Sequence, residues 1–356
     1  MNGWQDMKAI IVDASGTELT AEERALFAAE KPAGFILFKR NCVSKQQVSD
    51  LVTSVREAVG RADLPVLIDQ EGGTVARLRA PEFREYPAAK LFGELAQQET
   101  AQGIEATRMS AYLMALDLAD MGITVNCAPV VDVPAPDCHE FLSASRTFSD
   151  SPDMVGQLGE AVCRGLLAGQ VTPVMKHIPG HGRARVDSHF GLPVVDVPAD
   201  ILSRTDFKPF KYLAQTNMKT ALWAMAAHVV YSSLDSDSAA TVSARVTRDV
   251  IRGDMGFDGV LIADDISMKA LGGTIEDRVA RTMAAGMDLT MICNAPFDER
   301  AQALAATPKV SAEAAQRIAE AERQRTAFPA SGNDNGGARE ALHDKLAALL
   351  QQRKTG

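Results

Sequence analysis

The chain has no run of roughly 18 or more apolar residues, the length that a membrane-crossing helix needs. It also lacks any cluster of lysine and arginine. Its 37 basic and 46 acidic side chains leave a net charge of −9, which argues against a nucleic-acid partner, because such affinity comes largely from cations on phosphates. The five cysteines (Cys42, Cys127, Cys138, Cys163 and Cys293) are odd in number, widely spaced and without a C-x-x-C pair, so neither a zinc ribbon nor a disulfide framework is expected. Met1 to Lys8 lacks the basic start and apolar stretch of a signal peptide. No internal repeat with a period of about 20–50 residues is visible. These absences leave a cytoplasmic protein with neither membrane nor nucleic acid among its partners as the expectation. At 46% apolar and 23% charged residues, the composition is that of a globular chain and excludes disorder of the whole.

What is present is an alternation. Short apolar runs at Ala9–Val12, Gly34–Phe38, Pro65–Asp69, Thr124–Pro129, Thr172–Lys176, Thr220–Ala226, Gly259–Ala263 and Leu289–Cys293 read as eight strands. Several are apolar without alternation, as parallel strands buried on both faces are. In Ser44–Val59, the residues Val48, Leu51, Val52, Val55 and Val59 fall on one face of a helix. Ser44 with Gln47 reads as a capping box there, and Gly60 suits the left-handed C-terminal position. Further helices are expected over Gln97–Asp120, Pro152–Ala168, Ala244–Gly253 and Ile275–Ala285. Eight strands alternating with helices predict a single α/β domain, a (β/α)8 TIM-like barrel over residues 1–328, with a doubly wound open sheet as the competitor. Residues 329–337, rich in glycine, asparagine and serine, read as a flexible linker. A final helix over 338–356 forms a C-terminal extension with Leu342, Leu346, Leu349 and Leu350 on one face. That stripe must be buried against the barrel or against a second subunit.

In a parallel barrel, chemistry sits at the C-terminal ends of the strands. Asp69, Lys176 with His177, His228, and Asp264 with Asp265 each close an apolar run, and four ionisable strand ends together point to a functional site. The segment from Lys176 to His189 holds three of the six histidines. Gly180 and Gly182 allow unusual backbone angles and hinge motion. Asp187 stands two residues before His189, close enough for a carboxylate to fix the imidazole tautomer and stabilise its charged form; a surface turn with a solvated histidine is the alternative.

Three readings compete for this site. In glycoside hydrolysis a strand-end carboxylate, Asp264, attacks the anomeric carbon while a separate donor protonates the leaving group. Metal-dependent hydrolysis would use His177 and His181, but Pro179-Gly180 between them precludes one helix presenting both, and no H-x-H follows the first strand. A barrel that binds sugar without catalysis is the third.

Asp69-Gln70-Glu71-Gly72-Gly73, then Asn126-Cys127-Ala128-Pro129-Val130-Val131-Asp132-Val133, then Lys176-His177-Ile178-Pro179-Gly180-His181-Gly182, Asp187-Ser188-His189, Ala227-His228-Val229 and the run from Gly256 to Met268 follow one another in order. In these blocks the chain resembles the glycoside hydrolase family 3 β-N-acetylglucosaminidases (β-N-acetylhexosaminidases) of the peptidoglycan-recycling type, over roughly residues 8–295. The resemblance implies a retaining exo-acting hydrolase that removes N-acetylglucosamine from muropeptide fragments without a cofactor or metal. It implies Asp264 as the nucleophile, His189 as the acid/base and Asp187 as its dyad partner. It implies Asp69, Arg77, Arg146, Lys176 and His177 as sugar-binding residues, with Lys176, Arg77 and Arg146 keeping the Asp264 pKa low and Asp265 in a structural, hydrogen-bonding role. Two-domain β-glucosidases of the family carry a long second domain, whereas only 92 residues follow Asp264 here. A histidine acid/base leaves room for phosphate in place of water, since a neutral group repels it less than a carboxylate would. Two departures from the family pattern stand out. Ala144 occupies the position of a usual glycine before Arg146, and Arg183 and Arg185 follow the Gly-His-Gly turn. Those arginines are read either as attracting an anionic leaving group or as solvated surface charges.

Overall fold

The computed structural model describes residues 3–136, 138, 145–186, 191–329 and 336–351. Eight parallel strands form the barrel: β1 Lys8–Val12, β2 Pro32–Leu37, β3 Val66–Ile68, β4 Val125–Asn126, β5 Thr172–Ile178, β6 Trp223–Ala226, β7 Val260–Ala263 and β8 Thr290–Ile292. All eight expected strands are present. Each is bonded to its sequence neighbour, and β1 pairs β8, for example Ile10 opposite Thr290. The ring closes between β7 and β8 through the parallel bridge of Ile262 with Leu289, where the Ala263 amide donates to the Leu289 carbonyl at 3.0 Å. A closed ring therefore replaces the open sheet.

Burial on both faces explains why the strands read as continuous apolar runs: all six residues of β2 and all four of β6 and β7 are buried. β4 is shorter than the run that announces it. Pro129 has no N–H to give to a ladder, so pairing with β5 continues only irregularly, with Pro129 O accepting from Lys176 N at 3.0 Å and Val131 N donating to Lys176 O at 2.8 Å.

The helices around the ring are α1 Ala21–Glu30, α2 Lys45–Val59, α3 Ala89–Gln98, α4 Thr100–Ala119, α5 Pro152–Ala168, α6 Ala199–Arg204, α7 Lys208–Ala214, α8 Val246–Asp254, α9 Ile275–Ala284, α10 Phe297–Ala306, α11 Ala312–Ala327 and α12 Gly336–Gln351. In α2, the five predicted valine and leucine positions are the buried ones. Its cap is half of the expected box: Ser44 accepts from the Gln47 amide, but the Gln47 side chain turns to Val43 N and Thr17 O. The helix expected over Gln97–Asp120 is α4, which starts three residues later because the extended Glu99 separates it from α3, a helix the sequence reading did not place. Gly103 sits so close to Ala96 that a Cβ would lie 2.4 Å from the Ala96 Cβ, and this contact seats the elbow. α8 is wound as a π-helix.

α12 settles where the C-terminal stripe goes. It begins inside the segment expected as linker and packs on α4, with Leu346 buried and Leu342, Leu349 and Leu350 against the same core. Arg339 reaches Asp120 at 2.7 Å and Lys345 reaches Glu105 at 2.6 Å, so charges frame the apolar contact. The barrel itself covers the stripe.

Two glycines separate conformational from steric constraint. Gly60 ends α2 at φ 76° with open space around it, so Gly60→Ala meets only the left-handed penalty, about 1–2 kcal/mol. Gly165 in α5 lies against α4, where a Cβ would stand 2.4 Å from Arg108 O and 2.9 Å from Tyr112 N. Gly165→Ala must push two helices apart and is expected to lose about 3 kcal/mol. Denaturant melts of both variants check this, and an equal loss in the two would contradict it.

Candidate active site

The strand ends meet in one pocket of about 210 Å³ at the C-terminal mouth of the barrel. That is smaller than the ~300–1,000 Å³ typical of pockets for drug-sized ligands and suits a single sugar ring. Asp69, Glu71, Arg77, Arg146, Lys176, His177, His181 and Asp264 all line it. Six of the eight residues singled out from the sequence are thus brought together. The remaining two, Asp187 and His189, lie outside the described residues.

One side of the pocket is a chain of alternating charges. Asp69 follows β3, and a hairpin of Gln70–Gly72 with Val75–Ala76 carries Glu71 and Arg77 back to it. Lys176 lies within β5, which runs two residues beyond its expected end. Its ladder with β6 skips a residue between Lys176 and Ile178, and the consecutive side chains Lys176 and His177 both reach the mouth. The Lys176 ammonium sits 2.8 Å from Asp69 Oδ1 and 2.7 Å from Glu71 Oε1. Arg77 holds Asp69 Oδ2 at 2.8 Å, and Arg146 grips both Glu71 oxygens at 2.7 and 2.9 Å.

Burial raises the pKa of each of these acids, but Lys176 and then Arg77 outweigh it at Asp69, which stays well below the usual carboxylate range. Lys176 and Arg146 likewise bring Glu71 down to about 2. Burial disfavours the Lys176 charge, yet Asp69 and Glu71 more than restore it and its pKa rises.

Asp132, fully buried, holds His177 in place: its carboxylate takes His177 Nδ1 at 2.7 Å and the amides of His177 and His181 at 3.2 and 2.6 Å. That leaves His177 Nε2 for the pocket. Asp264 follows β7, with Oδ1 accepting from the Asp265 amide at 2.8 Å. Burial would raise its pKa, but His228 and His177, the Asp265 amide and then Lys176 lower it on balance. Lys176 acts on Asp264 as expected, whereas Arg77 and Arg146 are engaged on Asp69 and Glu71 and the two histidines take the larger part.

Asp265 turns away from its neighbour's task. It accepts from Ser267 N, Ser267 Oγ and Cys293 N at 2.8–3.0 Å, a hydrogen-bonding role, and burial first of all pushes its pKa to about 7. His228 is bound to Thr241 Oγ1 at 2.8 Å and to the Asp265 carbonyl at 2.9 Å. Arg183 is half-buried and already engaged rather than a free surface charge: it donates to Asp206 at 2.7 Å and to Thr205 at 3.2 Å. Gly180 and Gly182 are clamped rather than hinged, as Tyr231 donates to Gly180 O at 2.5 Å and a Cβ on Gly182 would stand 1.9 Å from Val133 O. Ile36, Met225, Met268 and Met291 add apolar surface to the lining. No group of three His, Cys, Asp or Glu side chains that could hold a metal ion occurs among the described residues, and no helix among them is long and apolar enough to cross a membrane.

Sequence reasoning gave no role to Glu71 or Asp132, and weighed His181 only as a metal ligand. All three lie inside the quoted motif blocks, and the signal was an ionisable residue one to a few positions past a strand end.

Residues 5–326 match the family model described as the glycosyl hydrolase family 3 N terminal domain. A beta-hexosaminidase of Stenotrophomonas maltophilia (strain R551-3) is 34% identical over 287 residues, covering 80% of this chain and 83% of its own. Another, from Thioalkalivibrio sulfidiphilus (strain HL-EbGR7), is 36% identical over 292 residues, with 81% of each chain covered. The crystal structure of NagZ from Neisseria gonorrhoeae in complex with N-trifluoroacetyl-D-glucosamine superimposes with a TM-score of 0.84 at 27% identity, over 97% of this chain and 98% of that one.

The Asp265 environment makes a pH prediction. Its folded pKa of about 7 stands above the ordinary value of 3.8, so folding binds its proton more tightly. The associated stability is full below about pH 4, falls as pH rises to about 7, and is level beyond. Asp265→Asn removes this slope, so the variant gains on the wild type across that interval in denaturant titrations. Parallel pH curves for the two proteins would refute it.

Proposed function

The chain belongs to glycosyl hydrolase family 3 and is a glycoside hydrolase of the β-N-acetylhexosaminidase type, and within that activity we propose that it is a cytoplasmic exo-acting enzyme that releases terminal N-acetylglucosamine from muropeptide fragments with retention of configuration. The observation that carries this reading is the meeting of an ionised strand-end carboxylate, Asp264, with the Arg77–Asp69–Lys176–Glu71–Arg146 chain in a pocket sized for one sugar.

The charged chain binds hydroxyls, and His177, fixed by Asp132, adds a ring nitrogen to the same ring. With Oδ1 held by the Asp265 amide, the Asp264 carboxylate attacks C1, and the bond from C1 to the leaving oxygen breaks. His189, oriented by Asp187, gives its proton to that oxygen. Water then enters: His189 takes a proton from it, its oxygen bonds C1, and Asp264 departs as carboxylate. The lowered Asp264 pKa keeps the nucleophile ionised at neutral pH. Sugar contacts that strengthen as the ring flattens towards an oxocarbenium ion lower the barrier. The substrate class follows the N-acetyl specificity of the relatives, and the small pocket supports action at a chain end.

The test is phenol release from the β-N-acetylglucosaminide and the β-glucoside by wild type, Asp264→Ala and His189→Ala, alongside sugar release from a muropeptide. Wild type is expected to prefer the N-acetyl substrate and Asp264→Ala to be inactive. His189→Ala should lose about 10²–10⁴-fold on the muropeptide, whose leaving group needs protonation, and less on the phenol. Free N-acetylglucosamine as product in phosphate buffer identifies water as the acceptor, whereas the sugar phosphate would overturn hydrolysis. Full activity of Asp264→Ala would overturn the nucleophile.

A further inference from the structure

His181 has no place in the mechanism above, yet its ring forms part of the pocket wall. The residue is 6% exposed, and neither Nδ1 nor Nε2 has a hydrogen-bond partner among the described residues. A buried donor or acceptor left unmade loses about 1–3 kcal/mol, so an unpartnered imidazole in the wall of a cavity awaits something that enters it.

The backbone that carries the ring gives it no room to turn aside. The His181 amide donates to Asp132 Oδ1 at 2.6 Å, Gly180 O is held by Tyr231, and Gly182 O accepts from Ala135 N at 2.9 Å. The same Asp132 holds His177, whose ring centroid lies 5.5 Å from that of His181. One carboxylate therefore aims two imidazoles at one cavity.

The ring is neutral at working pH: burial first, then the neighbouring His177, brings its pKa down to about 4. A neutral imidazole offers one N–H donor and one acceptor. That pattern suits a hydroxyl or an amide and not an ion. The ionic needs of the pocket are met by Lys176, Asp69 and Glu71 pairing among themselves.

We propose that His181 is a further substrate-binding residue, whose uncharged ring hydrogen-bonds a hydroxyl or acetamido group of the sugar held in this pocket. The proposal deepens the glycosidase reading and rests on it.

Two variants and one wild-type measurement test it. His181→Leu keeps bulk without polarity and is expected to lower kcat/KM on the phenyl β-N-acetylglucosaminide about 10- to 100-fold, with the melting temperature near that of wild type. His181→Asn restores a donor and an acceptor and should recover part of the loss. In ¹⁵N-histidine-labelled wild type, titration with N-acetylglucosamine should shift a ring nitrogen signal that His181→Asn deletes. This readout does not depend on the leucine variant folding. Unchanged kcat/KM in both variants, or a His181 signal that stays still while the sugar binds, would overturn the proposal. Absence of turnover and of sugar binding in wild type would instead defeat the glycosidase reading itself.

Discussion

The site depends on a buried ammonium. Lys176 is brought by β5 into the barrel mouth with almost no exposure to water, where an unpaired cation would be untenable. Two carboxylates from the β3 hairpin surround it, and each draws in an arginine of its own, Arg77 on Asp69 and Arg146 on Glu71. Removal of any inner member strands a buried charge, a loss of about 3–5 kcal/mol in comparable pairs. The hairpin after β3, the loop that carries Arg146 and the end of β5 are therefore fixed relative to one another by electrostatics as well as by the sheet. Polar groups arranged this way need little reorganisation when a ligand arrives, which is the condition for binding energy to act on a reacting centre.

A second pair of acids shows how the same burial produces opposite outcomes. Asp264 and Asp265 are adjacent in sequence and both buried, yet one is held ionised and the other is driven to about 7. The difference lies in what faces each: His228, His177 and Lys176 act on Asp264, while Asp265 has Ser267, the Cys293 amide and the charge of Asp264 itself. Separation of two neighbouring carboxyls by environment divides them, with Asp264 left charged at the pocket and Asp265 left to tie β7 to the end of β8.

The barrel was readable because its strands are buried on both faces and its helices on one, so Ile10–Val12, Val66–Ile68 and the valine stripe of α2 carry period and position together. The break at Glu99 was hidden because no local signal marks it: the elbow exists only where Gly103 meets Ala96 in the packed structure. The same limit applies to the site. Asp264 and Lys176 announce themselves as polar ends of apolar runs. The engagement of Arg146 with Glu71 spans 75 residues and that of His177 with Asp132 spans 45, and no spacing rule links residues so far apart. Arg183 failed for the converse reason, since its partner Asp206 lies 23 residues on, beyond the loop in which it was read.

The mixed lining of the pocket explains why a sugar suits it better than a more uniform ligand does. Arg77, Asp69, Lys176, Glu71 and Arg146 present directed donors and acceptors, while Ile36, Met225, Met268 and Met291 add apolar surface. A pyranose ring has the same division, with hydroxyls at its rim and C–H bonds on its faces. Met225 lies within β6 and Met291 within β8, so this apolar surface belongs to the barrel frame as firmly as Lys176 does. Polar groups of this kind can fix the orientation of a ring, and apolar surface beside them removes water from its face. Asp264 at the end of β7 lines the same partly desolvated cleft, where charges act at closer to full strength than in water.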